Sequence, residues 1–265
     1  MEQEKPVALS DEQSAGPSGQ HPIIITNLSK TFGEQTVLKG ISFHVERGQT
    51  LVVLGRSGTG KSVLLKVIVG LQKADAGSVQ ISGETIGDLD RDHLNQVRKR
   101  IGFLFQHAAL YDSLTLEENV AFPLARHSDM PENERRKKAR ELLASVGMDG
   151  DTEKMPSQIS GGMQKRVGLA RALALEPEIV LFDEPMAGLD PITAAEIGEL
   201  IVKHQKERGM TSVVVTHDVR GAKLFSDRFV VLDNGAIVAE GTFADLQKSQ
   251  NPLVARFVKD GSKEG

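Results

Sequence analysis

Short aliphatic runs set between longer polar stretches give the chain its first pattern. Thr50-Leu51-Val52-Val53-Leu54, Ile179-Val180-Leu181-Phe182 and Ser212-Val213-Val214-Val215 are continuous apolar runs, suited to strands buried on both faces. Ile23-Ile24-Ile25 is β-rich, and Ile41-Ser42-Phe43-His44-Val45 alternates as a half-buried strand does. Helical segments fall between the buried runs, which predicts an α/β domain with a mostly parallel sheet covered on both sides. Val230-Val231-Leu232-Asp233-Asn234-Gly235-Ala236-Ile237-Val238 predicts a hairpin turning at Asn-Gly.

Two regions break this pattern. Residues 1–22 are rich in Glu, Gln, Ser, Gly and Pro and have little to bury, which predicts a mobile tail; the alternative is a recognition segment. From 108 to 158 the chain reads as a helical insertion. It holds Glu117-Glu118-Asn119-Val120-Ala121-Phe122-Pro123-Leu124 and the charged run Glu132 to Glu141, then Leu142-Leu143 and Gly147, and Pro156 ends it.

Composition narrows the classes. With 39% hydrophobic and only 4% aromatic residues, the core must be aliphatic, and a base-stacking surface is not indicated. A formal charge of -4, with basic residues scattered among acidic ones, argues against general affinity for nucleic acid. The chain has no cysteine, so thiol catalysis, disulfides and cysteine-ligated metal are excluded, which suits a cytosolic setting. No stretch approaches the roughly 20 apolar residues of a membrane span, and the start lacks the order of a secretory signal. A role at a membrane therefore implies a second chain that spans it.

The candidate chemistry begins after the first buried run. Gly55-Arg56-Ser57-Gly58-Thr59-Gly60-Lys61-Ser62 is a complete phosphate-loop motif between a strand and the helical pattern Val63 to Val67. Its glycines let backbone N–H groups close on phosphate oxygens at a helix N-terminus. Lys61 is expected to reach the β- and γ-phosphates of ATP, and the Ser62 hydroxyl to bind Mg²⁺. The buried run Ile179 to Phe182 ends in Asp183-Glu184-Pro185, placing two carboxylates at the C-terminal edge of a central strand, where parallel sheets bind ligands. Asp183 is the expected metal-side acid, acting through water, and Glu184 the general base. Read alone, such a pair is more often a helix cap.

Phosphate loops serve kinases, GTPases and helicases alike, so a further signature decides the class. Ser160-Gly161-Gly162-Met163-Gln164-Lys165-Arg166 precedes the helical pattern Val167 to Leu175. Ser160 can cap that helix, and the glycines leave its first N–H groups open to a second anion. Here the sequence resembles the ATP-binding cassette (ABC) family, whose signature normally reads Ser-Gly-Gly-Gln; Met163 stands where that glutamine would be.

The resemblance spans Ile23 to about Leu246 and implies a P-loop NTPase with a RecA-like core, a small antiparallel β-subdomain and an inserted α-helical subdomain. It implies that Phe32, before Gly33, stacks on adenine; without it, Phe32 reads as a core aromatic. Gln106 matches the glutamine that contacts Mg²⁺ and the attacking water. Gly188-Leu189-Asp190 resembles the loop crossing a dimer interface, and His217 matches the switch histidine at the γ-phosphate, although a lone histidine would read as structural or solvent-facing. In this family two cassettes associate head-to-tail, so that Ser160, Gly161 and Gly162 of one subunit close on the ATP held by the partner's phosphate loop. The stretch between Gln106 and Phe122 would form much of the groove that meets the membrane chain.

Met163, Phe122-Pro123-Leu124 and Pro191-Ile192 narrow the resemblance to the ATPase subunits of Mla/Mce phospholipid transport systems. That implies a homodimer beneath a permease dimer at the cytoplasmic face of the inner membrane, with a ring of Mce-domain proteins beyond and, in some systems, a STAS-domain partner. Asn251-Pro252-Leu253-Val254-Ala255-Arg256-Phe257-Val258, in the extension 247–265, resembles a tail contacting the other subunit; a helix lying on its own domain is the alternative. An ATPase for import of polar amino acids or another small solute, and a soluble non-transport cassette, remain the other readings of function.

Overall fold

The computed structural model describes residues 21–262, so most of the tail expected at 1–22 lies outside the described residues. The elements run, in chain order, β1 (Ile23–Phe32), β2 (Gln35–Val45), β3 (Thr50–Gly55), α1 (Lys61–Ile68), β4 (Ala76–Ile81), β5 (Glu84–Thr85), α2 (Arg91–Lys99), β6 (Ile101–Leu104), α3 (Leu116–His127) and α4 (Glu132–Ser145). They continue with α5 (Gly161–Ala172), β7 (Ile179–Asp183), α6 (Pro191–Arg208), β8 (Thr211–Thr216), α7 (Val219–Ala222), β9 (Arg228–Asp233), β10 (Ala236–Gly241), α8 (Phe243–Leu246) and α9 (Pro252–Gly261).

Two sheets organise these elements. The larger has the order β10-β9-β3-β8-β7-β6, parallel except for β10, which returns antiparallel through the turn at Asn234 and Gly235. The smaller is antiparallel, in the order β2-β1-β4-β5. The continuous apolar runs are explained by their position between two cores. Leu51, Val53, Leu181, Val213 and Val215 face one core, shared with α1 and the small sheet. Val52, Leu54, Val180, Phe182 and Val214 face the other, shared with the helices from α3 to α6. A strand buried on both faces has no polar face to alternate with, so period two vanishes from its sequence.

Several elements were not visible in the sequence pattern. β4 and β6 are short, and β6 carries only Ile101-Gly102-Phe103-Leu104. The helical region continues past Pro156, because α5 packs on α3 and α4 as well as on β6 and α6. α9 lies against α7 and α8 of its own chain; Arg220 Nε donates to the Asp260 carbonyl at 2.9 Å and Lys223 Nζ to that of Gly261 at 3.2 Å.

A buried asparagine ties the helical region to the loop after β6. Asn119, with no exposed surface, accepts from the Tyr111 amide at 2.7 Å. Its amide nitrogen donates to the carbonyls of Tyr111, Leu114 and Thr115 at 3.1, 3.0 and 2.9 Å. Alanine there strands several of these backbone groups. Asn119→Ala is expected to cost about 3 kcal/mol of unfolding free energy, measured by urea denaturation; a loss under about 0.5 kcal/mol, the range of an ordinary surface change, would contradict this role.

Candidate functional site

The site is built at the C-terminal edge of the large sheet. Parallel pairing brings Leu54 level with Thr216, and Asp183 level with Val215, so the ends of β3, β7 and β8 open at one edge. The loop from Gly55 leaves β3 and enters α1, which starts at Lys61 itself, ahead of the apolar residues that announced it. Gly60 caps this helix with φ 96° and no side-chain hydrogen bond. A Cβ on Gly60 would sit 2.8 Å from Val37 Cγ1 and 2.9 Å from Leu38 Cδ2, so the β1–β2 hairpin approaches the loop as closely as a glycine allows. Arg56, Ser57 and Gly58 are exposed along the rim and Thr59 is half-buried, its hydroxyl donating to the Arg56 carbonyl at 2.8 Å.

Two cations and two anions are buried together below this loop. Lys61 is 6% exposed; its Nζ donates to the carbonyls of Gly55 and Arg56 at 2.8 and 3.0 Å and lies 3.4 Å from Glu184 Oε1. Ser62 Oγ donates to Asp183 Oδ1 at 2.8 Å. Burial pushes the Asp183 carboxyl above the usual carboxylate range; the Ser62 hydrogen bond opposes this and the charge of Glu184 adds to it. Lys165, from α5, donates to the Glu184 carbonyl at 3.1 Å, and burial lowers its ammonium to about 8 against the pull of Asp183 and Glu184.

Glu184 is the most constrained of these groups. It lies at φ 47°, a left-handed conformation that costs a non-glycine residue about 1–3 kcal/mol. Its amide donates to the Val215 carbonyl at 2.9 Å. Its Oε2 accepts from Thr216 Oγ1 at 3.0 Å and meets His217 Nδ1 at 3.0 Å, which requires the proton on Nδ1. The His217 side chain is otherwise half exposed.

The remaining predicted residues fall into separate places. Phe32 is 42% exposed at the end of β1, with Lys30 Nζ 5.2 Å from its ring centre, so it is no core aromatic. Ser160 caps α5 by accepting from the Met163 amide at 3.3 Å, and Met163 packs on the core. Gly161 faces open space; Gly162 lies so close to α6 that a Cβ would sit 2.4 Å from Thr193 Cγ2. Asp190 caps α6, accepting from the amides of Ile192 and Thr193 at 3.1 Å and from Thr193 Oγ1 at 2.6 Å. Gln106, Gly161, Gln164, Lys165 and Leu189 line one shared cleft of about 280 Å³. Within one chain the signature turn and the phosphate loop stand apart: α5 packs on β6, three strands from β3, or roughly 14 Å across the sheet.

A second groove, of about 460 Å³, opens where the helical region meets the sheet. Phe103, Phe105, Tyr111, Phe122, Pro123 and Arg171 line it, with Tyr111 and Phe122 in ring contact at 4.7 Å. Lys165 and Thr216 contribute to the site and were not singled out by sequence reasoning; Lys165 adjoins the signature, which was its one available signal.

The donor set fits a divalent cation bound with a polyphosphate. A hydroxyl and a carboxylate converge, and the carboxylate is under-compensated by its surroundings. Among the described residues no group of three His, Cys, Asp or Glu forms a cage, and Mg²⁺ needs none, since it is held by one or two carboxylates plus phosphates.

Comparison with known proteins places these features. Residues 38–187 match the family profile described as ABC transporter. The chain is 42% identical over 226 residues to the methionine import ATP-binding protein MetN of Brucella abortus, covering 85% of this chain and 61% of that protein, so it spans less than two thirds of that relative's length. It is 37% identical over 246 residues to the intermembrane phospholipid transport system ATP-binding protein MlaF of Haemophilus influenzae, covering 93% of each. Its fold is similar to the dimeric structure of a post-hydrolysis state of the ATP-binding cassette MJ0796 bound to ADP and Pi, with TM-score 0.77, 38% identity and coverage of 83% of this chain and 98% of that one.

The raised Asp183 carboxyl has a consequence for stability. The folded state binds this proton more tightly than the unfolded chain, so stability falls as pH rises above the ordinary value of 3.8, until the folded-state carboxyl is itself ionised. Asp183→Asn is expected to raise the Tm of the nucleotide-free protein at neutral pH, with the gain shrinking on acidification toward about pH 4. A thermal-denaturation series across pH checks this; a gain that grows on acidification would contradict it.

Proposed function

The chain belongs to the ABC transporter family, and on that premise we propose that it is the ATP-hydrolysing subunit of an Mla/Mce-type transporter that moves phospholipid between membranes. The observation carrying the enzymatic part is the chain of contacts at the mouth of the phosphate loop: Ser62 to Asp183, Lys61 to Glu184, and Glu184 to His217. The family hydrolyses ATP, and these residues divide that task among themselves.

In this reading the nucleotide fills the loop Gly55 to Ser62, and the Lys61 ammonium exchanges its carbonyl contacts for β- and γ-phosphate oxygens. Ser62 and Asp183 would hold Mg²⁺, and Gln106 would contact it and orient the attacking water. When bound, Mg²⁺ neutralises charge on the phosphates. Glu184 takes a proton from the water as its oxygen bonds to the γ-phosphorus and the bond to the bridging oxygen of ADP breaks. Thr216 holds the Glu184 carboxylate in place, and His217 bonds it and reaches the γ-phosphate. Phe32 offers its exposed ring to adenine.

The separation of the signature turn from the phosphate loop supports a head-to-tail dimer. Ser160, Gly161 and Gly162 of one subunit serve the nucleotide of the other, and Asp190 lies at the crossing loop. The aromatic groove around Tyr111 and Phe122 is the surface offered to a permease, which holds the ATPase at the cytoplasmic face of the inner membrane; no helix among the described residues is long and apolar enough to cross one. The lipid assignment is supported by Met163, by Pro191-Ile192 and by the similarity to MlaF over nearly the full length of both chains. The somewhat higher identity to MetN favours a second reading, an ATPase for a small-solute importer.

Affinity purification from native membranes separates the two. A permease with an Mce-domain protein is the expected recovery; a small-solute permease with a periplasmic binding protein would establish the second reading. Glu184→Gln is expected to retain ATP binding, to lower turnover by about 10²- to 10⁴-fold and to accumulate an ATP-bound dimer on sedimentation. Turnover near the wild-type rate would remove Glu184 as the base. Lys61→Ala is expected to weaken equilibrium binding of labelled ATP, and unchanged affinity would count against its phosphate role.

A further inference from the structure

Lys165 lies one turn into α5, three and four residues beyond Gly162 and Gly161, on the helix face those glycines share. It is 4% exposed, and its Nζ donates to the main-chain carbonyl of Glu184 at 3.1 Å. The same carbonyl accepts from the Ala187 amide at 3.2 Å. The other bonds that hold Glu184 come from β8 and the turn after it, through Val215, Thr216 and His217, and from Lys61. Lys165 differs in origin, because its helix begins with the signature turn. A buried ammonium that bonds a neutral carbonyl is an expensive way to fill space, since an aliphatic side chain would pack there without desolvating a charge. Its charged donor instead gives the carbonyl of a left-handed residue a stronger anchor than a neutral one could.

We propose that Lys165 is a positioning residue that fastens the Glu184 backbone to the signature helix, linking the turn that serves the partner's nucleotide to the base that acts on the subunit's own. This rests on the reading of Glu184 as base and of the signature turn as acting across a dimer. When Ser160 to Gly162 close on the partner-held nucleotide, the first turn of α5 moves with them, and the Lys165 stem carries that movement to the Glu184 carbonyl. The conformation of Glu184 is set by a handful of hydrogen bonds, so a small displacement of one anchor redirects its carboxylate.

The test compares the full-length wild type with Lys165→Met and Lys165→Arg by equilibrium binding of labelled ATP, by ATP-dependent dimerisation on sedimentation, and by steady-state kcat and KM. Lys165→Met is expected to keep ATP affinity, KM and dimerisation within about twofold while kcat falls about 10- to 100-fold, the scale of a misplaced catalytic group. Lys165→Arg, which keeps the charge and the donors, is expected to recover part of that loss. Unchanged kcat in Lys165→Met, or a parallel fall of affinity and kcat, overturns the proposal. Should Lys165→Met fail to fold, Lys165→Gln is read by the same criteria. A wild type that hydrolyses ATP and dimerises with it leaves the result at Lys165 bearing on this proposal alone; a wild type that does neither overturns the underlying reading together with it.

Discussion

Everything at this site depends on the level ends of three parallel strands. β3, β8 and β7 pair in a register that brings Leu54, Thr216 and Asp183 to one edge of the sheet, and each strand then turns away carrying its own chemistry. β3 releases the glycine loop into α1, β7 ends in the two carboxylates, and β8 delivers Thr216 and His217. Slipping any one strand by a residue would reverse its inward and outward side chains. Burial on both faces resists this, because both cores are lined by alternate residues of the same strands.

That edge holds an unusual concentration of buried charge. Lys61, Lys165, Asp183 and Glu184 are each under 9% exposed, two of each sign. Pairing keeps the group tolerable, but the balance is imperfect: burial holds Asp183 above its ordinary range and lowers Lys165 to about 8. Groups held at such cost respond to an incoming ion or polyphosphate more than a relaxed surface would. The left-handed backbone of Glu184 belongs to the same economy of strain, kept in place by bonds to β8, to the phosphate loop and to α5.

The sheet also separates what the chemistry must reunite. The signature turn stands beyond β6 and the phosphate loop at the end of β3. A single chain therefore holds the two motifs at a distance, and in the proposed head-to-tail pair a second copy would bring each phosphate loop to a signature turn. Under that proposal nucleotide would act as the bridging group, and its hydrolysis would remove the bridge. The aromatic groove between the sheet and the helical region lies beside the loop that Asn119 holds, so the surface proposed for a membrane partner shares the loop after β6 with Gln106.

By itself the sequence determined the motifs and their strand-loop-helix setting: the loop Gly55 to Ser62, the carboxylates Asp183 and Glu184 after a buried strand, the Ser160 cap, and the parallel sheet implied by unbroken apolar runs. These are local patterns, in which spacing dictates conformation. Short strands such as β4 and β6 carried too few residues to show a period, and the packing of α5 on α3 and α4 was invisible because helix contacts do not follow chain order. Only the tertiary structure decided that Thr216 anchors the Glu184 carboxylate and Lys165 its carbonyl, that Glu184 takes a left-handed backbone, and that Lys61 rests against it. Those contacts join residues from 19 to more than 100 positions apart, through strand order and helix packing that no local spacing encodes.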